Sequence, residues 1–122
     1  MSHTPMISIV DDDQSVREAT RGLVRSLGYE AALFGSAEEF LTSQEMHDTS
    51  CLIADVQMPG LSGVELQTEL ISNGHSLPMI FVTAFPEPMI RERAMNAGAY
   101  GFLSKPFDED SLIACLDRAL TS

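Results

Sequence analysis

Three consecutive carboxylates, Asp11, Asp12 and Asp13, close the apolar run "MISIV" near the start of the chain. A fourth acid, Asp55, closes "CLIA", and Thr83 closes "MIFV". Lys105 follows "YGFLS" and is the lone lysine in a chain whose other basic side chains are arginines. Carboxylates about 5 Å apart, at an effective dielectric of about 20, repel by about 3 kcal/mol per pair. A hard divalent cation relieves that repulsion. Mg2+ (or Mn2+) prefers a few carboxylates together with water and phosphate oxygens to a cage made wholly of protein. The hydroxyl of Thr83 and the compact ammonium of Lys105 suit the other oxygens of a phosphoryl group. A carboxylate can itself be the nucleophile in phosphoryl transfer, with cation and lysine stabilising the charge that develops.

These residues can act together only if the fold gathers them. Met6 to Val10 reads as a short buried strand, and the helix after it carries Val16, Leu23, Val24 and Leu27 on one face. Gly28 is placed to stop that helix. Tyr29 to Phe34 reads as a second strand. "SAEEFL" opens a short helix with a capping box, Ser36 and Glu39. "CLIAD" is a third strand and "VQMPGLSG" a loop. A helix over residues 64–72 is expected to bury Leu66, Leu70 and Ile71. "LPMIFV" is a fourth strand, Met89 to Ala97 a helix, and "YGFLS" a fifth strand. Asp108 can cap a last helix carrying Leu112, Ile113, Leu116 and Leu120. The order is strand then helix five times over, and three of the strands are near-continuous apolar runs, the mark of parallel strands covered on both faces. The expected fold is α/β, a doubly wound, five-stranded parallel sheet in the order 2-1-3-4-5 with five helices, flavodoxin-like. In such a sheet all carboxyl ends share one edge, so residues 11, 12, 55, 83 and 105 should converge.

The totals fit one domain over residues 1–122, with 44% apolar and 20% charged residues. A formal net charge of −11 argues against direct binding to nucleic acid or to an anionic membrane. "MSHTP" does not resemble a signal peptide, and no apolar run is long enough to cross a bilayer, so a cytoplasmic location is expected. Cys51 and Cys115 each lie in an apolar segment and read as reduced core thiols.

Taken together, "IVDDD", "DVQMPGLSG", "FVTA" and "LSKPF" resemble, in order and spacing, the four motifs of the receiver domain of two-component response regulators. "SAEEFL" and "AMNAGAYGFLSKPF" resemble most the FixJ-like subgroup, whose members usually carry a helix-turn-helix output domain. The resemblance implies that Asp55 accepts a phosphoryl group from a sensor histidine kinase. It implies that Asp11 and Asp12 hold Mg2+ with Asp55 and the backbone carbonyl of Gln57. Thr83 and Lys105 would each contact a phosphoryl oxygen, and Ala84 would leave the group room. The Lys105–Pro106 bond would be cis, and Phe102 would stand at the switch-aromatic position. The implied role is a phosphorelay switch controlling a transcriptional regulator, with a stand-alone receiver or phosphate sink as the alternative. The chain would be a switch that phosphorylates and dephosphorylates itself, with no turnover on external substrates. A DNA-binding output domain outside this chain and a phosphorylation-dependent dimer are compatible with it.

Other residues have their own readings. Asp13 reads as a helix-start residue rather than a third metal ligand. Arg17, Arg21 and Arg25, four residues apart on the first helix, form a basic stripe that could dock the kinase. His3, His47 and His75 show no ligand spacing and read as surface. In "AFPEP", Pro86 and Pro88 should stiffen the loop after Thr83. Rival classes fit less well. A haloacid-dehalogenase-type phosphatase would need an acid where Gln57 stands. A nucleotide or flavin cradle would not place three carboxylates after its first strand. An EF-hand loop would need glycine where Val16 stands.

Overall fold

The computed structural model describes residues 4–121, so His3 lies outside the described residues. Five parallel strands run in the order β2-β1-β3-β4-β5. They are β1 (Met6–Val10), β2 (Glu30–Phe34), β3 (Thr49–Asp55), β4 (Met79–Thr83) and β5 (Gly101–Ser104). The helices between and after them are α1 (Gln14–Ser26), α2 (Ala37–Leu41), α3 (Gly63–Ser72), α4 (Pro88–Asn96) and α5 (Glu109–Thr121). Topology and strand order are those expected from the sequence.

Alternation along the strands divides the core in two. Ile7 and Ile9 of β1, Cys51 and Ile53 of β3, and Ile80 and Val82 of β4 face one way. They pack with Val24 of α1 and with Leu112, Cys115 and Leu116 of α5. Leu52 and Ala54, with Met79 and Phe81, face the other way. They meet Phe40 of α2, Leu66 and Leu70 of α3, and Ala94 of α4. Both thiols are free and buried, Cys51 at 0% and Cys115 at 4% exposure. Each face therefore buries its own apolar layer, the usual reason a parallel sheet is covered on both sides.

Local signals explain where the helices begin and end. Asp13 caps α1, its side chain accepting the N–H groups of Ser15 and Val16. Such a cap typically contributes about 1 kcal/mol. Gly28 takes φ +92 just past α1, a left-handed conformation that suits glycine as a helix stop. Ser36 caps α2, and Ser62 with Glu65 forms a full capping box on α3. Pro88 stands at the start of α4, where its missing N–H costs no helix bond.

The structure corrects the face of α3. Ile71, expected inside, is 53% exposed. The buried stripe runs instead through Gly63, Leu66, Gln67 and Leu70. Gln67 can lie inside because its amide donates to the carbonyl of Ala94 at 3.1 Å, which removes the cost of burying a polar group. The third strand also starts two residues early, at Thr49, after a 3-10 turn over Glu45–Asp48 that hydropathy did not reveal. That turn sets His47 beside His75, with ring centroids 6.0 Å apart. Among the described residues, no helix is long and apolar enough to cross a membrane.

Candidate functional site

The strand register sets the site. Val10 pairs with Ala54, Asp55 with Val82 and Thr83 with Ser104. Asp11 and Asp12 thus follow β1, Asp55 ends β3, Thr83 ends β4, and Lys105 follows β5, all at the carboxyl edge. Asp11, Asp12 and Asp55 each offer a carboxylate oxygen, and these oxygens lie within 4.8 Å of one another. Asp11 is 1% and Asp55 5% exposed, whereas Asp12 faces solvent. Hard oxygen donors in a small cluster, one of them open to water, fit a hard divalent cation.

Lys105 is drawn into this cluster. Its Nζ donates to Oδ2 of Asp11 at 2.8 Å and to Oδ2 of Asp55 at 3.2 Å. The ammonium therefore already offsets part of the repulsion that the carboxylates would otherwise suffer. Burial pushes the Asp55 carboxyl above its usual value and the charge of Asp11 adds to this; Lys105 and the Gln57 N–H pull the other way without cancelling it. Burial works against the Lys105 ammonium, but the hydrogen bond and charge of Asp11, then of Asp55, raise it overall.

Backbone contacts hold the acids in place. Oδ1 of Asp11 accepts the N–H of Asp13 at 2.9 Å, so the third acid of the run positions the first. Oδ1 of Asp55 accepts the N–H of Gln57 at 3.2 Å, which orients the start of the loop that would present the Gln57 carbonyl. Gly63 stands against the Asp55 carbonyl, where a Cβ would come within 2.4 Å of that oxygen, so a side chain there would force the loop out. Met58, a residue of the same loop, is buried in the core.

Thr83 is fully buried, and its Oγ1 accepts the N–H of Phe85 at 3.1 Å. Its carbonyl accepts the N–H of Lys105 at 2.8 Å, tying the ends of β4 and β5 together. Lys105–Pro106 is cis. Phe102 is half-buried, its ring 6.2 Å from that of Phe81. Ala84 is exposed beside the site.

The arginine stripe divides. Arg21 and Arg25 are exposed, but Arg17 turns toward the site and donates from Nη1 to the carbonyl of Asp11 at 2.7 Å. Sequence reasoning missed this contact and a second one, from Glu38 to the N–H of Leu61 at 3.0 Å. No spacing signal marks either, because long side chains choose partners brought near only by the fold.

Comparison with known proteins places this geometry in context. The response regulator receiver domain family matches residues 7–117. The chain is similar to Nodulation protein W of Bradyrhizobium diazoefficiens, 44% identical over 117 residues, which cover 93% of this chain and 52% of that protein. It is similar to the transcriptional regulatory protein FixJ of Azorhizobium caulinodans, 37% identical over 114 residues, covering 93% of this chain and 54% of the relative. The chain spans about half the length of these curated relatives. Among solved structures, the crystal structure of FixJ-N superposes with a TM-score of 0.85 at 31% identity, covering 98% of this chain and 95% of that one.

Proposed function

This chain belongs to the response regulator receiver family, and on that premise we propose that Asp55 is the phosphoryl acceptor of a phosphorelay switch. The observation that carries this reading is the convergence of Asp11, Asp12, Asp55 and Lys105 on one sheet edge. A carboxylate oxygen of Asp55 attacks the phosphorus of a phosphohistidine on a sensor kinase. The O–P bond forms as the N–P bond breaks, and the imidazole leaves with the electron pair and takes up a proton.

The carboxylates of Asp11, Asp12 and Asp55 and the carbonyl of Gln57 would hold Mg2+. When bound, that cation offsets the charge that develops on the phosphoryl oxygens. Lys105 turns from Asp11 to one phosphoryl oxygen, and the Thr83 hydroxyl leaves the Phe85 amide to donate to another. Ala84 leaves room for the group. Phe102 and the face of α4, β5 and α5 then carry the change to an output partner. A DNA-binding output domain suits that role, since some relatives are named as transcriptional regulators. A phosphorylation-dependent dimer is a further way to read the same face. The test is incubation with acetyl phosphate and Mg2+ followed by intact mass. A gain of one phosphoryl group is expected, and no gain would overturn the reading.

We assign kinase docking to α1 and the turn after β5. A groove of about 490 Å³ runs there, lined by Val16, Ala19 and Leu23 on one side and by Pro106 and Phe107 on the other. Lys105 is among its lining residues and bonds Asp55, so a partner seated in the groove approaches the acceptor. Arg21 and Arg25 stand exposed on the same helix. Arg21→Glu is expected to slow phosphoryl transfer from the kinase while leaving labelling by acetyl phosphate unchanged. Equal loss from both donors would count against docking.

A further inference from the structure

The loop between β3 and α3 must hold the Gln57 carbonyl still if that oxygen is to serve a cation. Its inner limb is fixed by Asp55, which accepts the Gln57 N–H, and by the bond from the Gly63 N–H to the Val56 carbonyl at 3.0 Å. Its outer limb is exposed at Pro59 and Gly60. There Oε2 of Glu38, 23 residues back in sequence, accepts the N–H of Leu61 at 3.0 Å. Gly60 makes the approach possible. It takes φ +78, and a Cβ on it would stand 2.6 Å from that same Oε2. The Leu61 hydrogen bond also holds the Glu38 carboxyl below the usual carboxylate value, as expected for an acceptor that gains a donor.

We propose that Glu38 is a positioning residue for the cation site: it clamps the outer limb of the loop to α2, so that the Gln57 carbonyl is held ready for the cation. The inference rests on the reading of the site given above and extends it to a helix that touches none of the reacting groups. Groups that orient a ligand without touching the metal commonly affect its affinity. A solvent-exposed bond offers only a part of that effect. The helix that carries the clamp is short, five residues anchored by buried Ala37 and Phe40. The coupling must be reciprocal: whatever Glu38 adds to cation affinity, the cation adds to the clamp.

The test begins without metal. In Glu38→Ala the Leu61 amide should exchange with solvent about fivefold faster, as expected when its acceptor is removed. Glu38→Gln keeps an acceptor oxygen and should restore most of the protection. Mg2+ is then titrated and followed through the amide resonances of Asp12 and Gln57 rather than through activity. Glu38→Ala should need about fivefold more Mg2+ for half-saturation, and Glu38→Gln should stay within about twofold of the parent. Glu39→Ala is the control. On the same helix as Glu38, its carboxylate accepts the N–H of Gly35 in the turn before α2 rather than any group of the loop, so its loss should leave Mg2+ affinity unchanged. Unchanged affinity in Glu38→Ala would overturn the proposal. So would a Gln variant as weak as Ala, which would assign the effect to charge, or an equal loss in Glu39→Ala, which would assign it to a loosened helix. A parent protein that binds Mg2+ but takes up no phosphoryl group would instead sink the reading of Asp55, leaving the clamp intact.

Discussion

Asp55→Asn is expected to take up no phosphoryl group from acetyl phosphate and, in metal-free buffer at neutral pH, to melt above the parent protein. The first half follows from the loss of the carboxylate proposed as nucleophile; the amide that replaces it has no anionic oxygen to attack phosphorus. The second half follows from the environment of the acid. Burial first, and Asp11 next, push the folded-state pKa of Asp55 above its usual value, and Lys105 does not cancel this. A raised pKa means that the folded chain holds this proton more tightly than the unfolded chain does. Stability therefore falls as pH rises through the interval between the two values, and the ionised acid is a burden at every higher pH. The amide removes that burden. Its advantage should be largest near neutral pH and shrink below about pH 4, where the parent carboxyl is protonated in both states. Intact mass and melting curves across that range check both halves. A variant that melts below the parent at neutral pH would mean that the Lys105 pair outweighs burial.

Lys105→Met is expected to do the reverse. Removing the ammonium leaves Asp11 and Asp55, 1% and 5% exposed, without their shared cation. Breaking a buried ion pair from one side typically costs about 3–5 kcal/mol. The lysine side chain is 15% exposed and Asp11 keeps its bond from the Asp13 amide, so a loss of about 2–3 kcal/mol is expected here. Mg2+ should recover much of it. In the parent a cation has to share Asp11 and Asp55 with Lys105; in the variant it meets no competitor. Apparent Mg2+ affinity should rise, and with it the stabilisation seen at a fixed Mg2+ concentration. Denaturant unfolding with EDTA and with Mg2+ measures both. Equal losses in the two buffers would show that lysine and cation do not compete for the same oxygens.

The sequence made the strand ends legible for a physical reason. An apolar run that stops at Asp55, Thr83 or an acidic pair marks both an element boundary and a polar residue at that boundary. Parallel topology then places those boundaries on one edge. The spacing of Leu66 and Leu70 is equally clear, yet hydropathy puts Ile71 on the wrong side because it ranks above Gln67. The amide of Gln67 found a carbonyl on α4, a partner invisible in local sequence. The same limit hid the contacts of Arg17 and Glu38. Each depends on where a flexible side chain finds a backbone group from a distant segment, and such contacts emerge only once the elements are packed. The turn at Glu45–Asp48 was missed for another reason: it is too short to show a period.

The division of the core into two layers gives this protein a built-in clock. Cys51 lies beneath α1 and α5 with no exposure, and burial first, then the nearby Cys115, push its thiol up to about 12. The thiolate is the species that reacts, so a thiol-modifying reagent meets almost none of it while that layer is closed. Labelling must wait until α5 and its neighbours lift away, an opening on the scale of the whole fold. Its rate then counts those openings. Because the cysteine stands clear of the acidic edge, a cation or a phosphoryl group there should slow the clock only by as much as it holds the entire molecule shut.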